Sequence, residues 1–561
     1  MKLHPFLRPT LPLLAVLVIS ACGGGGGSSL PPSSPVAMVN VALTDAPSKD
    51  FDHVWITVSE IRFHTSNNAA ANDPGWLKFP LGVPASIDLA TLYNGTLSAL
   101  FNNLALPAGT YQQIRLMLVD DAAPLANSAV AAGLTYNDQV NWTDPAGTSH
   151  VARLEIPSPS QGIALNGTFA AVDGGSLNLV LDFDVGHDVV RFLHAGNTAF
   201  TLLPHLQYFD LAESGAVSGQ VDASHLCSSS ATSAPSGCAY NLVIKAEVPS
   251  ADGSYHQVAR STTIRSDGSF TLFPLRIPAG ASSTNVDVLV RGRNMDTVVV
   301  RNVPVAAATT PSNNPGMVSS NPLPITIDGE YTANAATPLS PTGAWVDFYQ
   351  TLSATGQNEA PYEVRTQRVN PFTGKFLTDF ALSTGPIWIG NYVAGGSPVL
   401  VANTPTQGLG AYSVVATALD YTRTVANATL TIPSAGPALF SIPTMPVNPA
   451  VASADSISGT ISQATAGTYD SGFLVVVRMG AIVQTIPIAT QLGAAGGTGS
   501  AYTVNNLPGG GASLTLPGAY YYLYARVWNS ADPIKTLRRI DFSGYADLRA
   551  GSATGMNVTL N

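Results

Sequence analysis

From Met38 onward the chain breaks into short runs in which apolar and polar residues alternate at every second position, and each run ends in a turn signal. MVNVALTDAP sets Val39, Val41 and Leu43 on one face before turning at Asp45-Ala46-Pro47. FDHVWITVSEIRFH sets Val54, Ile56 and Val58 against His53, Trp55 and Thr57 on the opposite face. LPAGTYQQIRLMLV turns into a strand with Ile114, Leu116 and Leu118 inward. No long amphipathic helix competes with this pattern, although LATLYNGTLSALFNNL is expected to give one or two short helical turns. A period of two with so many turns makes the chain all-β.

At 561 residues there is room for about four domains of ~150 residues each, every one with its own core. Charged residues are 11% of the chain, against about 25% in ordinary soluble proteins, and Gly (51) and Pro (41) supply the turns. Hydrophobic residues reach 45%, more than a disordered chain carries. The expected architecture is about four consecutive antiparallel β-sandwich domains, immunoglobulin-like or transthyretin-like, after an export signal and a flexible tether. A formal net charge of −10 and the lack of any Lys/Arg cluster exclude a nucleic-acid partner.

The first folded segment is expected over residues 37–212. It contains, in order, LTDAP, VWITVSEIRFH, DLATLYNG, LPAGTYQQIRL and LVLDFDVGHDVV. This succession resembles the bacterial lipoprotein family catalogued as domain of unknown function 4382, over about a third of the chain. The resemblance implies an anchored, extracytoplasmic β-sandwich and no known activity.

Three further segments repeat a common plan, over residues 213–324, 325–450 and 451–561. GAVSGQVD, ITIDGEYT and SISGTISQ open them, and the strongly β runs NLVIKAEV, AWVDFYQT and GFLVVVRM follow. SDGSFTLFPL, FTGKFLTDF and AYTVNNLPG come next at similar offsets. A period of about 110 to 130 residues fits sandwiches strung end to end and is too long for a solenoid unit. The three segments resemble transthyretin-like or carboxypeptidase-regulatory-like sandwiches. The second departs most, because its opening lacks the Ser-Gly pair.

Residues 1–21 carry Lys2 and Arg8, then the apolar LPLLAVLVI, then Ser20 and Ala21, which is the plan of an export signal. The apolar core is too short to span a bilayer, which takes ~20 residues. Ile19-Ser20-Ala21-Cys22 resembles the bacterial lipobox. That resemblance implies cleavage before Cys22 and acylation of its thiol and amino group; the alternative is an ordinary signal peptide followed by an incidental cysteine. Two or three acyl chains fix a protein to a membrane where one binds marginally. Residues 22–36, with GGGGGSS and LPPSSP, then form a tether, flexible first and stiffer after. Gly23 in place of Asp points to the outer membrane, on its periplasmic face or at the cell surface. Cys227 and Cys238 flank the loop-like SSSATSAPSG and are expected to form a disulfide in an exported protein; a metal pair is disfavoured because no His or Cys stands nearby at ligand spacing.

Catalytic signatures are lacking. All nine histidines lie at or before His256, and HExxH, GxSxG and P-loop patterns are absent. In LDFDVGHD, Asp182 and Asp184 fall on one strand face, so that with Asp188 they could offer oxygens to Ca2+. The alternative is a solvated strand face pairing with Arg191 or Arg153. In AYYYLYARVW, period two sets Tyr521, Leu523, Ala525 and Val527 inward. It leaves Tyr520, Tyr522, Tyr524, Arg526 and Trp528 as an outward row able to stack on sugars, or to be buried under an adjoining domain. The functional expectation is a membrane-anchored envelope lipoprotein with a non-catalytic binding, adhesive or scaffolding role toward a glycan or an envelope protein. The runner-up is a carbohydrate-binding surface lipoprotein that uses the aromatic strand; an accessory hydrolase comes third.

Overall fold

A computed structural model describes residues 35–46, 48, 50–144, 146–227, 237–307, 317–329, 331–354, 357–375, 380–492, 499–511 and 516–561. The export signal, Cys22 and nearly all of the tether lie outside the described residues. Cys227 and Cys238 are joined, with Cα atoms 5.1 Å apart.

Alternation becomes two facing sheets in residues 36–210. Val36–Asp45 lies antiparallel to Ser98–Pro107 and parallel to Ser176–Phe183, with Gln207–Asp210 at the edge. The facing eight-stranded sheet is built around His53–His64, which pairs with Leu77–Asp88, Gly109–Leu118 and Gln139–Thr143. Val39, Val41 and Leu43 meet Val54, Ile56, Val58, Ile114 and Leu116 in one core. Full burial of each such side chain contributes about 1.5 to 3 kcal/mol. The helical turns expected in LATLYNGTLSALFNNL shrink to one 3-10 turn, Leu89–Thr91, capped by Asp88. The remainder becomes the strand Ser98–Pro107, because Leu100, Phe101 and Leu106 complete the core.

The three later segments share one pairing plan. Ser214–Val221, Tyr331–Ala335 and Ser453–Gln463 each pair antiparallel with a middle strand, respectively Ser269–Arg276, Phe380–Leu382 and Ser500–Gly509. Each also pairs parallel with a late strand: Met317–Leu323, Ala438–Phe440 and Val558–Leu560. The strongly β runs are the central strands Tyr240–Pro249, Trp345–Gln350 and Ser471–Arg478. Each of these is flanked by a strand that follows it and by a later one.

One expected boundary shifts, and one hairpin joins a neighbouring sheet. Ile325 and Ile327 pack on the core of the second sandwich, so the third begins at Tyr331. The hairpin Ile387–Asn391/Val401–Asn403 leaves the third segment to join the second sheet, running parallel to Val298–Arg301.

Residues 36–561 form one compact unit, and the sandwiches are not strung end to end. A fifth core joins Val190 and Leu203 of the first sandwich to Val475, Val477, Ile482, Tyr522 and Tyr524 of the fourth. Gly343 of the third sandwich donates its N–H to Val483 O of the fourth at 2.9 Å, an approach so close that a Cβ there would meet Ile482 O at 2.1 Å.

Candidate functional site

Charged side chains gather where the first three sandwiches meet, and most belong to strands whose alternate residues fill a core. On Tyr240–Pro249, Ile244 and Ala246 point into the second sandwich, which turns Lys245 and Glu247 outward. On Tyr362–Arg368, Tyr362 and Val364 point into the third, which turns Glu363 toward the second. Lys245 Nζ donates to Glu363 Oε1 at 2.9 Å, and the Glu363 N–H donates to Glu247 Oε2 at 3.1 Å. The second and third sandwiches are thus joined by buried ions.

Asp182, Asp184 and Asp188 separate into three structural roles. Asp182 receives Nη1 of Arg260 from the second sandwich, whose Nη2 also donates to Thr44 Oγ1 at 3.1 Å and to Asp45 O at 3.0 Å. Asp184 caps the single helical turn Val185–Asp188 by accepting from His187 N at 3.2 Å, and it accepts from Ser261 Oγ at 3.3 Å. Asp188 is fully buried and accepts from His205 N at 2.9 Å and from Asp184 N at 3.2 Å. No three His, Cys, Asp or Glu side chains among the described residues are arranged to hold a metal. The expected Ca2+ set is therefore corrected: a guanidinium supplies the positive charge at Asp182, and the helical turn carries Asp188 inward. The solvated alternative is corrected as well. Arg191 lies over Trp142 and Phe200, and Arg153 pairs with Asp121 at 3.7 Å.

A cavity of about 640 Å³ opens among these groups, walled by Asp182, Asp184, Lys245, Arg260, Asp347 and Arg423 among others. A smaller one of about 290 Å³, among the first, third and fourth sandwiches, shares His205 and Trp345 as walls. Arg368 lies 4.9 Å over the Trp345 ring and donates to Gly343 O, His187 O and Leu203 O, tying the first and third sandwiches together. Burial dominates the protonation of the junction. It pushes the Asp184 carboxyl up to about 6, Asp188 to about 7 and Glu247 to about 8, and it raises Asp45 and Asp347 as well. The same desolvation, with Arg368 nearby, lowers His205 to about 4 and His187 well below its ordinary value.

The aromatic strand Tyr520–Trp528 is corrected too. Tyr521, Leu523, Ala525 and Val527 do fill the fourth core. The opposite row is covered: Tyr520, Tyr522, Tyr524 and Arg526 are 8%, 7%, 3% and 4% exposed. Arg526 donates to Glu155 Oε1 at 2.9 Å, sits 3.1 Å from His194 Nδ1, and lies 5.2 Å from the ring centres of Phe192 and Phe372. Trp528 meets the His194 ring edge-on at 4.9 Å. Arg539 adds donors to Ile156 O and Pro157 O while covering Tyr524. The row is the weld between the first and fourth sandwiches and presents no exposed platform. Arg526→Ala is expected to cost about 2 kcal/mol, less than the ~3 to 5 kcal/mol of a fully buried pair because Glu155 keeps some water. Limited proteolysis should then release the C-terminal sandwich earlier than in the wild type.

Lys245, Glu247, Arg260, Glu363 and Arg368 were not singled out from the sequence. For Lys245 and Glu247 the signal is an ion on the outward face of a strongly β run in a chain poor in charge, whereas Arg260, Glu363 and Arg368 stand on other strands and carry no such signal. Arg478, on the matching strand of the fourth sandwich, repeats the signal of Lys245 and donates to Asp420 Oδ2 at 2.6 Å.

Comparison with known proteins bears on the first sandwich. No curated protein matches the sequence. Among solved structures, the TIE protein of Bacillus anthracis is 10% identical, with 91% of this chain and 69% of that one covered and a TM-score of 0.14. A streptococcal ancillary pilin is 10% identical, with 62% and 99% covered and a TM-score of 0.11. The pilus adhesin SpaC of Lactobacillus rhamnosus GG is 11% identical, with 91% and 55% covered and a TM-score of 0.12. Likenesses at these scores carry no argument. Residues 36–204, the first sandwich of this chain, match the family described as Domain of unknown function (DUF4382).

Proposed function

We propose that the protein is a bacterial envelope lipoprotein, held to the outer membrane through acylated Cys22, that works by binding and not by catalysis. The cavity where three sandwiches meet is its binding site. One observation carries this reading: a cavity of about 640 Å³, within the ~300 to 1,000 Å³ usual for ligand sites, has walls from three separate sandwiches and is lined by ions fixed in place by partners on neighbouring strands. Such walls are preorganised, which favours binding. The acids there are engaged by structural partners: Asp182 by Arg260, Asp184 by Ser261 and the His187 N–H, Asp347 by Thr366 and Thr417, and Glu363 by Lys245. The order of basic, apolar and small residues before Cys22 supports the anchor.

Two measurements test the two halves. Mass spectrometry of the full chain from bacterial membranes is expected to find Cys22 as the acylated amino terminus; an unmodified thiol overturns the anchor. Gln257 lies exposed on the cavity wall. Gln257→Trp is expected to reduce retention on isolated cell-wall and outer-membrane fractions at least tenfold without lowering Tm, and equal retention of wild type and variant overturns the cavity as the binding site.

A further inference from the structure

From Phe380 to Leu419 the sequence contains no Asp, Glu, Lys, Arg or His. The hairpin Ile387–Asn391/Val401–Asn403 lies within this stretch and is firmly built at its base. Ile387 is buried in the third core, Trp388 packs on the second and donates Nε1–H to Asp296 at 3.1 Å, and the strand is paired to Val298–Arg301. Gly390 lets the far arm fold back, since a Cβ there would lie 2.9 Å from Leu400 Cδ2 and from Val399 O. The arm so held displays Val393, Val399 and Val401, exposed by 45%, 79% and 63%. Val399 is the most exposed large apolar side chain among the described residues, and the three valines lie close together on one arm whose base is fixed.

We infer that this hairpin is a membrane-contacting element that seats its apolar arm in the interfacial region of an uncharged lipid bilayer. Apolar patches on soluble proteins mark either protein partners or membranes, and the residues here choose between them. Protein interfaces favour aromatic and Arg anchors inside a polar rim. This arm instead shows aliphatic Val beside Gly, Ser and Pro, and a charge-free stretch is what a segment entering hydrocarbon requires. Pro398 and Pro405 bracket the three-residue outer strand. They limit its use as a template for another chain's strand, which disfavours a second copy as occupant. The inference does not depend on the lipid anchor.

Residues 36–561, the compact unit that contains all five cores, allow a test without Cys22. That unit is expected to float with phosphatidylcholine vesicles. V399D/V401D should lower the bound fraction at least tenfold, and V399S/V401S by a smaller factor, with Tm unchanged in both because neither side chain is buried. Absence of flotation by the wild type, or flotation indifferent to both variants, overturns the inference. A wild-type dimer in solution that V399D/V401D dissolves, without vesicle binding, overturns it in favour of a second copy.

Discussion

Arg260→Ala is expected to destabilise the folded body by about 3 to 5 kcal/mol, the usual cost of removing one partner from a buried ion pair. Arg260 comes from the second sandwich, is 3% exposed, and is the cation beside Asp182 while also donating to Thr44 and Asp45 O of the first. Without it Asp182 stays in a site with little water, and the carbonyl of Asp45 and hydroxyl of Thr44 lose a donor. The loss therefore falls on the seam between two sandwiches. Urea unfolding of single and double variants separates the charge from the packing. Arg260→Met with Asp182→Asn should recover a large part of the loss, because two neutral side chains of similar volume leave no uncompensated charge. A double variant as unstable as Arg260→Ala would show that contacts other than the ion pair hold the seam.

The reach of the sequence is visible at this same seam. Parity along a strand says which residues leave a core: Val39, Val41 and Leu43 turn inward as the alternation requires. The three β runs likewise become the central strands of three like-paired sandwiches. Parity does not say what covers the outer face. Arg260 lies 78 residues from Asp182, and Arg526 lies 371 from Glu155. Nothing local distinguishes an outward tyrosine awaiting a ligand from one awaiting another sandwich. The aromatic row of Tyr520–Trp528 belongs to the second kind because the chain returns to its first sandwich. The boundary expected between residues 324 and 325 moves for a related reason. Ile325 and Ile327 look like the start of a repeat, but the preceding core has room for them, and burial outweighs motif.

Stability is expected to fall as pH rises from 6.5 to 8.5, and the junction's carboxyl groups set that sign. Asp188 titrates at about 7 and Glu247 at about 8 in the folded protein, and Asp347 is raised by the same burial; unfolded carboxyls titrate near 4. Across this window the folded state therefore holds more protons than the unfolded one, and unfolding free energy declines with pH. The stabilisation is complete below about pH 4 for these acids and is lost as pH passes 7 to 8. His187 and His205, depressed by burial, act in the opposite sense below about pH 6.5, where the unfolded chain takes up their protons first. The window above 6.5 isolates the acids. At about 1.4 kcal/mol per pKa unit the loss is roughly 3 kcal/mol. For a body of this size that is about 3 °C in Tm. Glu247→Gln tests the assignment: a side chain that stays neutral keeps an acceptor for the Glu363 N–H and removes the proton that Glu247 gives up across this window. Its Tm should match the wild type near pH 6.5 and exceed it at 8.5. Parallel curves for the two proteins would place the pH dependence elsewhere in the molecule and leave Glu247 ionised within the fold, with Lys245 as its counter-charge.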